Sequence, residues 1–118
     1  MNKRVIGAEK EELAISYLEK NGMKIAVHNY RIKSGEIDVI GYHEGYLVFV
    51  EVKYRKDKKK GDPSEAVTYR KQKTICKVAD YYRYCNGISE YNPIRYDVVA
   101  ICGEEITWYK NAFMHISR

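Results

Sequence analysis

Cysteine is scarce in this sequence and badly spaced for pairing. Cys76, Cys85 and Cys102 are the only three among 118 residues, and no two form a C-x-x-C. That excludes a disulfide framework and argues against a structural zinc site. With 2 prolines and 8 glycines the chain is neither a linker nor a low-complexity segment. No apolar run approaches the ~18 residues of a membrane span, and the opening Met1-Asn2-Lys3-Arg4-Val5-Ile6-Gly7 lacks the apolar stretch of a signal peptide. These absences lead to the expectation of a reduced, cytoplasmic protein with no membrane association. Its length suits one domain, residues 1–118, able to bury roughly two-thirds of its unfolded surface.

Acidic residues are few where basic ones are most dense. The formal net charge is +5, but between Lys53 and Lys77 there are ten basic and three acidic residues, and the remainder is slightly acidic. A stretch of this kind can neutralise phosphates and release their counterions. A solvated lysine-rich loop is the plainer reading of the same charges.

Hydrophobic spacing gives the order of elements. Ala8, Leu13, Ala14, Tyr17 and Leu18 recur at helical intervals up to Asn21-Gly22. Strand-like segments follow over Met23 to Arg31, Glu36 to Tyr42 and Tyr46 to Tyr54, with turns at Ser34-Gly35 and Glu44-Gly45; an antiparallel meander is expected. Asp62-Pro63-Ser64-Glu65 has the form of a helix start. That helix is expected to run to about Cys85, burying Val67, Ile75, Val78, Ala79 and Tyr82. Strands over Arg95 to Ile101 and Glu105 to Tyr109 complete the order αβββαββ, an α/β fold with a mixed central sheet flanked by helices.

Chemistry concentrates in the third strand, Leu47-Val48-Phe49-Val50-Glu51-Val52-Lys53. So apolar a run is normally a central strand covered on both faces. Alternation places Glu51 and Lys53 on one face, where charges are costly unless paired or bound to a metal. In the preceding strand Glu36, Asp38 and Ile40 are expected to share a face. A hairpin through Glu44-Gly45 would bring Asp38 near Glu51, giving two carboxylates and an ammonium able to hold a divalent cation and a nearby water. The alternative is a Glu51–Lys53 pair at a fraying strand end beside a solvent-facing Asp38.

Asp38 followed by Glu51-Val52-Lys53 resembles the PD-(D/E)xK nuclease signature, and αβββαβ is the core order of that superfamily, a restriction-endonuclease-like fold. The likeness narrows through Gly7-x-x-x-Glu11-x-x-Ala14-x-x-Tyr17-Leu18, Asn29-Tyr30-Arg31, Gly35-Glu36-Ile37-Asp38-Val39-Ile40, Val48-Phe49-Val50-Glu51-Val52-Lys53-x-Arg55, Glu65-Ala66-Val67 and Arg95-Tyr96-Asp97-Val98-Val99. These motifs, in this order, are similar to the bacterial YraN-like family, largely uncharacterised proteins related to Holliday-junction resolvases. Lys10 stands where that family usually has a second glycine.

The resemblance implies that Asp38 and Glu51 are metal ligands for Mg²⁺ or Mn²⁺, with the Val52 carbonyl a third oxygen. It implies that Lys53 orients the attacking water, and that Glu11 completes the site. An exposed helix-surface role is the plainer reading of Glu11; Glu36, on the face of Asp38, is an additional candidate for the site, with a turn role as its plainer reading. Arg55, Lys56, Lys58, Lys59, Lys60, Arg70, Lys71 and Lys73 are the expected nucleic-acid-binding rim. The partner expected is nucleic acid, most simply DNA. Tyr69, Tyr81, Tyr82 and Tyr84 on the second helix leave a homodimer open. His28, His43 and His115 have no ligand spacing, and Asp97 is read as structural. The function expected is a metal-dependent DNA endonuclease, on branched or damaged DNA by the resemblance; the rival is a non-catalytic nucleic-acid-binding module of the same fold.

Overall fold

The computed structural model of the chain describes residues 3–55 and 67–117. Its elements are α1 (Lys3–Lys20), β1 (Lys24–Ile32), β2 (Gly35–His43), β3 (Tyr46–Arg55), α2 (Tyr69–Cys85), β4 (Ile94–Cys102) and β5 (Glu105–Phe113). One five-stranded sheet has the order β1-β2-β3-β4-β5. The first three strands form the expected antiparallel meander. α2 then carries the chain over the sheet, so that β4 runs parallel to β3 from Leu47↔Ile94 to Arg55↔Cys102. β5 returns antiparallel to β4. The mixed α/β architecture is therefore as expected, and the apolar β3 is the central strand.

Each helix covers one face. α2 buries Ile75, Cys76, Val78, Ala79 and Tyr82 against Ile37, Ile40, Leu47, Phe49, Tyr96 and Val98. α1 buries Ala14 and Leu18 against Val39, Val48, Val50, Val99 and Ile101. Fully buried aliphatic side chains of this kind each contribute about 1.5–3 kcal/mol. Not every apolar position expected on α1 faces the core: Leu13 is 47% exposed and Ala8 is exposed, whereas Ile15 packs against the sheet. No described helix is long and apolar enough to cross a membrane.

Two expectations need correction. The packed second helix does not grow out of Asp62: Thr68 is extended, with φ −64° and ψ 161°, and its side chain accepts a hydrogen bond from Lys71 N at 3.1 Å. Thr68 is thus the N-cap, and Asp62, Pro63 and Glu65 lie outside the described residues. The alternation of β2 also fails, at Asp38. Ile37 and Ile40 both pack in the cluster under α2, while Val39 lies in the one under α1. The change coincides with the end of the β2–β3 ladder at Val39↔Val50.

The far edge of the sheet is held by Asp97, whose side chain is wholly buried. It accepts from Arg95 Nη2 and Trp108 Nε1, both at 2.8 Å, and from Arg95 Nε at 2.9 Å. It also takes the Asn111 backbone N–H at 2.8 Å. Asn111 has φ 54°, and the β4–β5 register shifts between Tyr96 and Val98. The carboxylate therefore satisfies the donor that this bulge frees from the ladder, which explains why β5 continues past Tyr109 to Phe113. The structural reading of Asp97 holds.

Candidate functional site

Where β2 and β3 part, the ladder is replaced by a side chain. Val52 N donates to Asp38 Oδ2 at 2.8 Å. A strand residue's N–H and C=O face the same neighbour, so the Val52 carbonyl is directed into the same opening. Glu51, one residue earlier, is only 6% exposed. Two ammonium groups approach its Oε2: Lys53 Nζ at 3.6 Å from the same strand, and Lys71 Nζ at 3.7 Å from the first turn of α2. Asp38 stands against Glu51 as well. Burial, then the Asp38 charge, then a hydrogen bond with Asp38 push the Glu51 carboxyl up to about 8, against the pull of Lys71 and Lys53. Burial and the neighbouring Asp38 carboxylate thus favour the protonated form of Glu51.

A hard cation suits such a pair, since its charge offsets the repulsion between two carboxylates. Among the described residues no three His, Cys, Asp or Glu side chains converge as a metal-binding group. The protein would therefore supply Asp38, Glu51 and the Val52 carbonyl, leaving further positions to water and phosphate. Mg²⁺ is commonly held in this way, by one or two carboxylates plus substrate oxygens.

Glu11 lies on α1, outside that cluster. It lines a groove of about 840 Å³ between α1 and β1, together with Glu12, Ser16, His28 and Asn29. With its amide turned to satisfy both O and N, Asn29 donates to Glu11 Oε1 at 2.7 Å. Asn29 has φ 53°, a left-handed conformation that asparagine tolerates. Partial burial, then the charges of Asp38 and Glu36, raise the Glu11 carboxyl above its ordinary value, and His28 opposes them. Glu11 thus adds negative potential at the edge of the opening without joining the Asp38–Glu51 pair. Glu36 is bonded to Arg31 across the β1–β2 hairpin, at 2.9 and 3.2 Å, in keeping with a turn role. Lys10 Nζ lies 4.7 Å from the centre of the Tyr54 ring, and so ties α1 to the end of β3.

The rim divides. Arg55 closes β3, and its carbonyl accepts from Gly103 N at 3.2 Å. Arg70 and Lys73 line a different groove, of about 550 Å³, shared with Lys77, Asp80, Tyr69, Thr74, Ser34, Ile116 and Ser117. Lys71, expected beside them, belongs instead to the carboxylate cluster. Lys56, Lys58, Lys59 and Lys60 lie outside the described residues. Sequence reasoning missed the holding of Glu11 by Asn29 and the inward turn of Lys71. The first was signalled only by Asn29-Tyr30-Arg31, the second by helical phase: 100° per residue separates Lys71 from Arg70 on one side, and 200° separates it from Lys73 on the other.

A family model described as "Uncharacterised protein family UPF0102" matches residues 10–101. The chain belongs to this family. A UPF0102 protein of Lachnoclostridium phytofermentans is 50% identical over 113 residues, 96% of each chain. A UPF0102 protein of Legionella pneumophila is 41% identical over 109 residues, covering 91% of this chain and 92% of its own. One from Fusobacterium nucleatum is 42% identical over 111 residues, 94% of this chain and 92% of its own. The YraN-like resemblance of the motifs is thereby established as UPF0102 membership, and the stretch matched contains Glu11, Asp38, Glu51, Lys53 and Lys71.

Proposed function

We propose that this UPF0102 protein is a Mg²⁺- or Mn²⁺-dependent endonuclease with a restriction-endonuclease-like αβββαβ core. Its partner is nucleic acid, most simply DNA, with branched or damaged DNA as the substrate class that the motif resemblance implies. The observation that carries this reading is the meeting of Asp38, Glu51 and Lys53 where β2 and β3 separate. A structural ion pair needs neither the second carboxylate nor the opening.

In this reading Asp38, Glu51 and the Val52 carbonyl hold the cation, which supplies charge for the phosphate and lowers the pKa of a bound water. Lys53 orients that water and stabilises the charge growing on the phosphate oxygens. Arg70, Lys73 and Lys77 hold the backbone in the adjoining groove as point charges that fix position and leave base choice open. The test is a panel of duplex, nicked, branched and single-stranded oligonucleotides with Mg²⁺ and Mn²⁺. Cleavage is expected from wild type and not from Lys53→Ala or Glu51→Ala, both of which should still bind. Cleavage at wild-type rate by either variant would overturn the site assignment. A non-catalytic binding module draws on the same groove; it predicts binding that the groove substitutions weaken, with no cleavage of any substrate.

A further inference from the structure

Lys71 is the residue whose position the motifs least prepare for. It sits in the first turn of α2, its backbone N–H bonded to the Thr68 cap at 3.1 Å. Its side chain leaves the rim, so that its ammonium lies 3.7 Å from Glu51 Oε2, the same oxygen that Lys53 approaches at 3.6 Å from the opposite element. One buried carboxylate oxygen is thus flanked by two cations from different parts of the fold. Lys71 is half-buried, whereas its neighbours Arg70 and Lys73 are exposed and face the groove. A third positive charge at that oxygen is repelled by both ammonium groups, so a cation is easier to seat there if one of them leaves.

Resting on the cation-dependent reading above, we propose that Lys71 is a fourth member of the site. Its ammonium occupies the place beside Glu51 Oε2 while no divalent cation is present, and contacts the substrate phosphate once a cation has taken that place. The lysine stem has four rotatable carbons and three donors, so its ammonium can move from Glu51 to a phosphate oxygen while its backbone stays fixed by the Thr68 cap. Lys53, anchored on the central strand, keeps its place beside the water. Two lysines with separate tasks explain why the site has two where a static ion pair would need one.

The experiment is calorimetric titration of Mn²⁺ into wild type, Lys71→Gln, Lys71→Arg and Lys73→Gln, without nucleic acid. Removing the competing charge should tighten Mn²⁺ binding about three- to tenfold in Lys71→Gln. Lys71→Arg should restore an affinity near wild type, and Lys73→Gln should leave it unchanged. Cleavage by the same proteins should then fall chiefly in kcat for Lys71→Gln and chiefly through KM for Lys73→Gln. Equal Mn²⁺ affinity in wild type and Lys71→Gln, both folded by circular dichroism, overturns the role of Lys71 alone. Absence of Mn²⁺ binding in wild type overturns the cation-dependent reading, and this proposal with it.

Discussion

At the scale of single residues, the molecule separates two buried carboxylates by what surrounds them. Asp97 is saturated with donors, including a full guanidinium, and ends in a closed network. Glu51 has two half-buried lysines at more than 3.5 Å and another carboxylate against it. Asp97→Asn should therefore cost stability, about 3–5 kcal/mol, because it strands buried Arg95 without a counter-charge; urea denaturation checks it. Glu51 should behave in the opposite way. Its carboxyl is pushed above its unfolded value, so between about 4.5 and 8 the folded protein binds the extra proton. Its contribution to stability is complete below that window and is lost as pH rises through it. Melting of the cation-free protein from pH 5 to pH 8 should show this decline, and Glu51→Gln should flatten it. The difference should reach a few kcal/mol, at about 1.4 kcal/mol for each pH unit separating the two values.

Elements were legible in the sequence where one rule governed them. β3 was recognisable as central because Leu47 to Val50 are apolar on both faces, and the structure buries all four. The end of α2 was marked by Asn86-Gly87, and Gly87 has φ 62° there. Its start was not: the sequence pointed to Asp62, whereas Thr68 caps the helix through the Lys71 N–H. Thr68→Ala should therefore destabilise the protein by about 1 kcal/mol, measured by chemical denaturation. Nor did alternation reveal that β2 would switch faces at Asp38, where its ladder with β3 ends and its β1 neighbour Asn29 has φ 53°. A close approach was equally hidden: a methyl at Gly41 would lie 2.7 Å from the Lys24 carbonyl and 2.9 Å from the Met23 side chain. Gly41→Ala should cost about 1–3 kcal/mol through overpacking, seen as a lower melting temperature.

Over the described residues, the cations of α2 divide between the carboxylate cluster, which Lys71 joins, and the groove lined by Arg70, Lys73 and Lys77. Composition located the basic stretch, but which cations serve the groove and which serve the site depends on helical phase, a three-dimensional property. Changing Arg70, Lys73 and Lys77 together to glutamine should weaken oligonucleotide binding regardless of sequence, and reduce the slope of log K against log salt by about 2–3. Fluorescence anisotropy from 50 to 200 mM salt measures it, and Ca²⁺ in place of Mg²⁺ prevents turnover from confusing the reading.

Trp108 is the single tryptophan of the chain. Its indole Nε1 is tied to Asp97 across the β4–β5 pair, and its ring lies 4.7 Å from the His43 imidazole at the end of β2. One chromophore therefore touches three strands of the sheet. Its emission should follow the closing of the sheet during folding.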